Sequence, residues 1–472
     1  LDVIRHLLVR PAGRRNRKSL FFGIFLARLL SPGDYGMVGM LTIFSCIAGS
    51  LQEAGFISAL INRKEDRHED YNAVFWFSIS ASLCIYLILF FCAPLIARFF
   101  HTPELTKLAR YIFISFFISS FGISQSAYLS KHLMIKQKAI AYITALIISG
   151  TVGIIMAFKG FAYWGLATQS LVYVLVGTTL CWTMSPWRPS LKISTKPIAE
   201  MLPFSIKMLI TSVFNHINNN IFAVILGRFY TRNEVGDYTQ ANKWNTMGHS
   251  FVSGMISSVS QPVLAGVCDD HDRQLRIFRK MVRFTAFVSF PAMLGLSLIA
   301  PEFITIAITD KWINSAEILR ILCVAGAFVP ICNLFSSLLI SKGKSNIYMW
   351  SSIMLGLIQL GVMIVIHPFG IKTMVVTYTS INIFWLFVWY FFVQKETGYR
   401  FRDFTLDILP FLFVTLAVMS STYFVTKPIG NMYFLLAARI AVATVLYILS
   451  MRLSDAVTFK EVTAQLRVWL KR

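Results

Sequence analysis

Thirteen long apolar stretches run through this chain, and its lysines and arginines collect in every second gap between them. A helix needs roughly 20 largely apolar residues to cross a bilayer. Such runs lie near 36–61, 72–97, 109–130, 139–158, 161–182, 202–226, 237–265, 284–304, 315–340, 347–367, 371–393, 406–426 and 432–451, and a shorter one at 19–30 precedes them. The pattern predicts an all-α polytopic inner-membrane protein.

The gaps at 1–18, 62–70, 131–138, 183–200, 267–283, 341–346, 394–403 and 452–472 hold 30 of the 44 Lys and Arg, against about 11 in the opposite gaps. By the positive-inside rule the richer side is the cytoplasm. Both termini then lie there, which requires an even number of spans: fourteen, with the first one shortened. The net charge of +22 is absorbed by loops facing an anionic leaflet, so it calls for no nucleic-acid partner. Seven scattered cysteines without a CxxC pair read as small core residues, neither disulfides nor metal ligands. Nothing in the chain asks for a cofactor. The run at 19–30 lacks a small-residue cleavage site and is followed by many spans, so it is no secretory signal.

An internal echo divides the chain. Residues 26–36 (LARLLSPGDYG) recur as 226–238 (LGRFYTRNEVGDY), and the segment opening at Pro94 ahead of 105–110 recurs as that opening at Pro301 ahead of 318–322, both offset by about 200 residues. Each copy of the first pair ends an odd-numbered span, so the repeats run in one direction. Two parallel six-helix bundles are expected, an arrangement typical of transporters that bind substrate between halves. The expected division is an N-terminal bundle at 1–182, a cytoplasmic linker at 183–200 with Pro186, Pro189 and Pro197, a C-terminal bundle at 201–393, two further helices within 394–451, and a cytoplasmic tail at 452–472. In that tail Val457, Phe459, Val462, Leu466 and Trp469 recur at helical spacing, which fits either a short interfacial helix or a solvated tail.

Soluble catalytic machinery is missing: there is no GxxxxGK[ST] loop and no HExxH. Asp270-His271-Asp272 matches the loose DxD pattern of sugar-nucleotide enzymes but reads better as a solvated turn. Polar groups inside apolar runs carry more information, because a charge near mid-membrane costs about 2–3 kcal/mol unless it faces a cavity or a partner. Lys207, Thr211, Asn215 and Asn218 share one helix face, extended by Asn219 and Asn220. Lys243, Thr246, Ser250, Ser253, Ser257 and Ser260 form a second stripe, and Thr42, Ser45, Gly49, Gln52 and Glu53 a third, with Gln125 and Gln169 as lone members. For the hydroxyls the plain reading is helix packing. Lys207 and Lys243 suit a phosphate or pyrophosphate headgroup, and Glu53 is the candidate for carrying a coupling ion, or else half of a structural ion pair. Arg28, Arg228 and Arg320 lie near outward helix ends, where snorkelling accounts for them. Arg28 is kept as a further binding candidate.

The stretches 26–36, 55–64 (GFISALINRK) and 72–76 (NAVFW) resemble the opening of the polysaccharide flippase family, the Wzx-type branch of the multidrug/oligosaccharidyl-lipid/polysaccharide exporter superfamily. In the second half 219–221 (NNI), 225–228 (ILGR), 235–244 (VGDYTQANKW), 261–264 (QPVL), the acidic turn at 269–272, 301–303 (PEF), 310–312 (DKW) and 341–345 (SKGKS) resemble the same family, so the likeness covers about 24–400. The resemblance implies fourteen helices in two bundles around a cavity that opens alternately to each side. It implies an undecaprenyl-pyrophosphate-linked oligosaccharide as cargo, for capsule, O-antigen or exopolysaccharide, with coupling to protons or sodium and contact with the polymerase and glycosyltransferases. The chain departs from the family at its start: 1–18 carries six Lys/Arg, position 1 is not Met, and only about a dozen apolar residues follow. A misassigned start or a frame disruption upstream of Phe21 is the expectation there.

The expected function is therefore export of a lipid-linked glycan, not enzymatic chemistry. A drug or cation antiporter of the same superfamily is the alternative, whose cargo favours acidic cavity residues. A glycan polymerase or ligase needs a larger outward loop than 98–108.

Overall fold

The computed structural model describes residues 12–53, 56–63, 67–191, 194, 196–267, 270–454, 459–461 and 463. The regular elements among them are helices: α1 Ala12–Leu29, α2 Pro32–Glu53, α3 Phe56–Asn62, α4 His68–Phe99, α5 Leu105–Ser120, α6 Ile123–Lys131, α7 Ile135–Phe158, α8 Tyr163–Met184, α9 Lys196–Phe229, α10 Arg232–Ala265, α11 His271–Ile308, α12 Ile313–Gly326, α13 Val329–Ser341, α14 Ser345–Ile366, α15 Ile371–Thr397, α16 Phe401–Thr426 and α17 Met432–Leu453. Each expected apolar run falls on one of these helices or on a consecutive pair. The tail stripe at 457–469 lies largely outside the described residues.

Among the described residues, ten helical segments are long and apolar enough to cross a membrane, or eleven with the bent pair α5–α6. At 34 residues each, α9 and α10 have ample length, since a helix rises ~1.5 Å per residue against a hydrocarbon core of ~30 Å. They fall short on apolarity because they carry the polar stripes. The count of fourteen is thus approximate, while the class of fold is the expected one.

Three elements differ from the hydropathy reading. Helix α1 starts by Ala12, within the basic segment and earlier than its apolar run, because Ala, Arg and Lys are good helix formers wherever a helix is already nucleated. The run at 36–61 is two helices, α2 and the short α3. The run at 109–130 is broken at Phe121–Gly122 with a bend of 47°. Its counterpart in the second half is interrupted at 327–328. In both, a neighbouring helix supplies a donor to a freed carbonyl: Trp182 Nε1 donates to Phe121 O at 2.6 Å, and Ser289 Oγ to Ala327 O at 2.7 Å. Such satisfaction is what lets a helix break inside lipid.

By its internal contacts the chain divides into two compact units, Pro11–Gly236 and Asp237–Arg472. In the first, Phe56, Leu60, Tyr71, Val74, Phe75 and Trp187 form a buried aromatic-aliphatic cluster. Part of the expected linker belongs to this unit. Trp187 is buried, Ser190 N donates to Asn72 Oδ1 at 2.8 Å and Trp76 Nε1 to Ser190 O at 2.8 Å. Arg63 joins Asp70 at 2.6 Å and Glu200. Burial alone would lower the Arg63 pKa, but its bonds to the two carboxylates raise it above the usual arginine value.

In the second unit α16 and α17, which fall outside the repeat, are pinned to α11 by buried charge. Arg279 Nε donates to Asp407 Oδ2 at 2.8 Å, and Arg279 also meets Asp403 at 3.1 Å. Tyr399 Oη donates to the same Asp407 at 2.8 Å. Burial, reinforced by that carboxylate, pushes the Tyr399 phenol up, so it stays a neutral donor. Toward the other end of α11, Arg439 Nη1 lies 2.7 Å from Glu302 Oε2, both nearly buried.

Candidate functional site

The sequence repeat has a physical counterpart at the start of α2 and of α10. Ser31 and Asp34 form a reciprocal cap, with Ser31 N donating to Asp34 Oδ2 at 2.9 Å and Asp34 N to Ser31 Oγ at 3.3 Å. Thr231 and Glu234 repeat it at 3.0 and 3.4 Å, the capping box expected of S/T-x-x-D/E. The two first turns then pack backbone to backbone. A Cβ on Gly36 would lie 1.9 Å from the Arg232 carbonyl oxygen, and one on Gly236 1.8 Å from that of Pro32.

Below this crossing, α2 carries its polar stripe to a chamber of about 140 Å³ lined by Gln52, Glu53, Ile57, Ser119, Gly122, Ile123, Ser126, Tyr142, Tyr173, Val174, Gly177, Thr178 and Cys181. The break between α5 and α6 opens it. Gln52 Nε2 donates to Ser119 Oγ at 2.8 Å, the rings of Tyr142 and Tyr173 lie nearly parallel with centroids 6.4 Å apart, and Lys138 acts electrostatically on Glu53. Gln125, a lone polar residue in the sequence, is fully buried; its amide lies against Phe121 O and Trp182 Nε1, which makes it part of the lock on the break.

Arg228 proves to be more than a snorkelling cation. Its Nη1 donates to Phe99 O at 2.6 Å and lies 2.8 Å from the His101 ring, while Arg232 meets Glu104 at 3.7 Å. Arg228, His101, Arg232 and Glu104 line an open cleft of about 380 Å³.

The other sequence candidates distribute as follows. Lys207 is on α9, and its side chain lies outside the described residues. On the same helix Asn215 and Asn218 are half-buried and Asn219 is exposed. Lys243 is half-buried on α10, close in sequence to fully buried Gln240 and to Asn245. Further along that stripe Ser253 accepts from Asn333 Nδ2 at 3.2 Å, so part of the stripe is packing. Arg28 is exposed in the last turn of α1. Asp270 accepts from Arg273 N at 2.9 Å, so the DxD match is a helix N-cap.

The structure brings Glu53 and Gln52 together with Ser119, Tyr142, Tyr173 and Thr178, none of which the sequence singled out. Lone hydroxyls and tyrosines on otherwise apolar helices give no periodic signal. The family model described as polysaccharide biosynthesis protein matches residues 25–317. The chain belongs to that family. Among curated relatives, the lipopolysaccharide biosynthesis protein WzxC of Escherichia coli K12 is 23% identical over 328 residues, covering 68% of this chain and 66% of WzxC. The teichuronic acid biosynthesis protein TuaB of Bacillus subtilis is 24% identical over 345 residues, 72% and 71% of the two chains. The alignment with WzxC thus spans just under two thirds of that relative. The fold is similar to that of the lipid II flippase MurJ in an inward closed conformation (TM-score 0.76, 14% identity, 97% of this chain and 99% of MurJ). It is also similar to an inward-facing multidrug resistance MATE transporter of the MOP superfamily (TM-score 0.65, 17% identity, 81% and 94%). This family member is a multi-pass inner-membrane protein with a transporter fold.

Proposed function

We propose that this protein flips an undecaprenyl-pyrophosphate-linked oligosaccharide, a unit of capsule, O-antigen or exopolysaccharide, from the inner to the outer leaflet of the inner membrane by alternating access of its repeat halves, 1–182 and 201–393. The family match over 25–317 carries this reading; the polysaccharide pathways named for the relatives support it. Lys207 and Lys243 attract the pyrophosphate as point charges, Asn215, Asn218 and Asn219 offer amides to sugar hydroxyls, and Arg28 meets the cargo as it leaves. Glu53 takes up the coupling proton or sodium ion. Both termini face the cytoplasm, where the protein meets the glycosyltransferases, and the polymerase receives the cargo on the other side.

The test is complementation of a strain lacking its own flippase, scored as surface polysaccharide. Restored polysaccharide is expected from the chain and at least a tenfold loss from the Lys207→Ala, Lys243→Ala double variant, the equivalent of about 1.4 kcal/mol or more. Full export by that variant would remove the headgroup assignment. No export across strains of different glycan type, together with drug resistance conferred by the chain, would replace the reading by drug antiport.

A further inference from the structure

The chamber at the broken span has a chemistry unlike that of the basic stripes. Among the described wall residues Glu53 is the one that carries charge, with Lys138 acting on it electrostatically from beyond the wall, and in its ionised form the carboxylate repels a phosphate brought beside it. The pyrophosphate of the proposed cargo therefore does not belong here. The rest of the wall is amphipathic. Two near-parallel tyrosine rings, 26° apart in plane, stand beside the Gln52–Ser119 pair, joined at 2.8 Å, and the Thr178 hydroxyl.

A pyranose ring has the matching surface: an apolar C–H face that rests on an aromatic ring, and a rim of hydroxyls that each donate and accept. A volume of about 140 Å³ is well below the ~300–1,000 Å³ of sites for larger ligands, so it suits one ring and not a whole oligosaccharide. Discontinuous helices are also where transporters of this build place their substrate sites, and the break at Phe121–Gly122 forms part of this wall.

We propose that the chamber between α2, α6, α7 and α8 recognises a single uncharged or amino-bearing pyranose of the translocated glycan through Tyr142, Tyr173 and Gln52, and that Glu53, in its ionised form before the coupling ion binds, turns away uronic acids. The inference rests on the flippase reading and adds a sugar-selecting site to it. It makes the chain a filter for its cargo's sugar as well as a carrier of its headgroup.

The experiment uses the full chain in lipid nanodiscs and saturation-transfer NMR with methyl glucoside, methyl N-acetylglucosaminide, methyl glucuronide and inorganic pyrophosphate as probes. The two uncharged glycosides are expected to give signals that fall about threefold to tenfold in Tyr173→Leu and in Gln52→Ala, the scale of one lost aromatic or polar contact. Glucuronide is expected to be silent with the unaltered chain and to appear with Glu53→Gln, a gain that misfolding cannot mimic. Pyrophosphate signals should be the same in all of these. Equal glycoside signals across the variants, or glucuronide binding as well as glucoside to the unaltered chain, overturns the proposal. Complementation separates the two levels: export with variant-independent sugar signals removes the chamber and spares the flippase, whereas absent export with intact sugar selectivity does the reverse.

Discussion

Gly36 and Gly236 occupy places where no other side chain fits, because the atom each would strike is a backbone carbonyl at 1.9 or 1.8 Å that cannot swing aside. Alanine at either position is expected to cost about 1–3 kcal/mol as overpacking, read as a lower melting temperature in detergent. Gly33→Ala is the control: its new Cβ would meet the end of the Asn233 side chain at 2.7 Å, which can rotate away, so a near-neutral result is expected. The sequence showed these glycines as matched letters in a repeat, but their contact with each other's strand of backbone was invisible, since similarity at an offset does not say that the copies touch. Glu53 stood out in the sequence for a different reason. A carboxylate ending a polar stripe on an apolar helix has few structural excuses, whereas Tyr142 and Tyr173 look like any aromatic in a membrane helix.

Among the elements, α17 is held by the least replaceable contact. Arg439 and Glu302 are both about nine-tenths buried and 2.7 Å apart, so removing one leaves the other charged and alone. Arg439→Met is expected to lose about 3–5 kcal/mol, and Arg439→Met with Glu302→Gln to regain most of it; resistance to denaturation by SDS would measure both. No periodicity in α17 pointed to Glu302, because a pattern reports which face of a helix is polar and not what lies opposite. The break at Phe121–Gly122 was hidden similarly: it contains no proline and sits within a continuous apolar run, and the donors that permit it, Trp182 and Gln125, come from elsewhere in the fold or from a residue with no periodic partner.

For the molecule as a whole, charge asymmetry and span length were the readable quantities, since the bilayer imposes them on the sequence directly. The orientation they imply is open to test: in a cysteine-free background, an impermeant maleimide added to spheroplasts is expected to label Thr102→Cys and to spare Arg273→Cys, and the reverse pattern would invert the topology. The compact units were less readable, because Pro11–Gly236 ends inside a helix, not at a proline-rich connection. That boundary bears on how the chain is made. When the ribosome has delivered α2, the carbonyl that will cover Gly36 is still about 200 residues away, some ~10–40 s at ordinary rates of synthesis. The first turn of α2 thus has its glycine face bare until α9 and the Thr231 turn arrive, in a half-made protein whose first seam is closed by a segment from its middle.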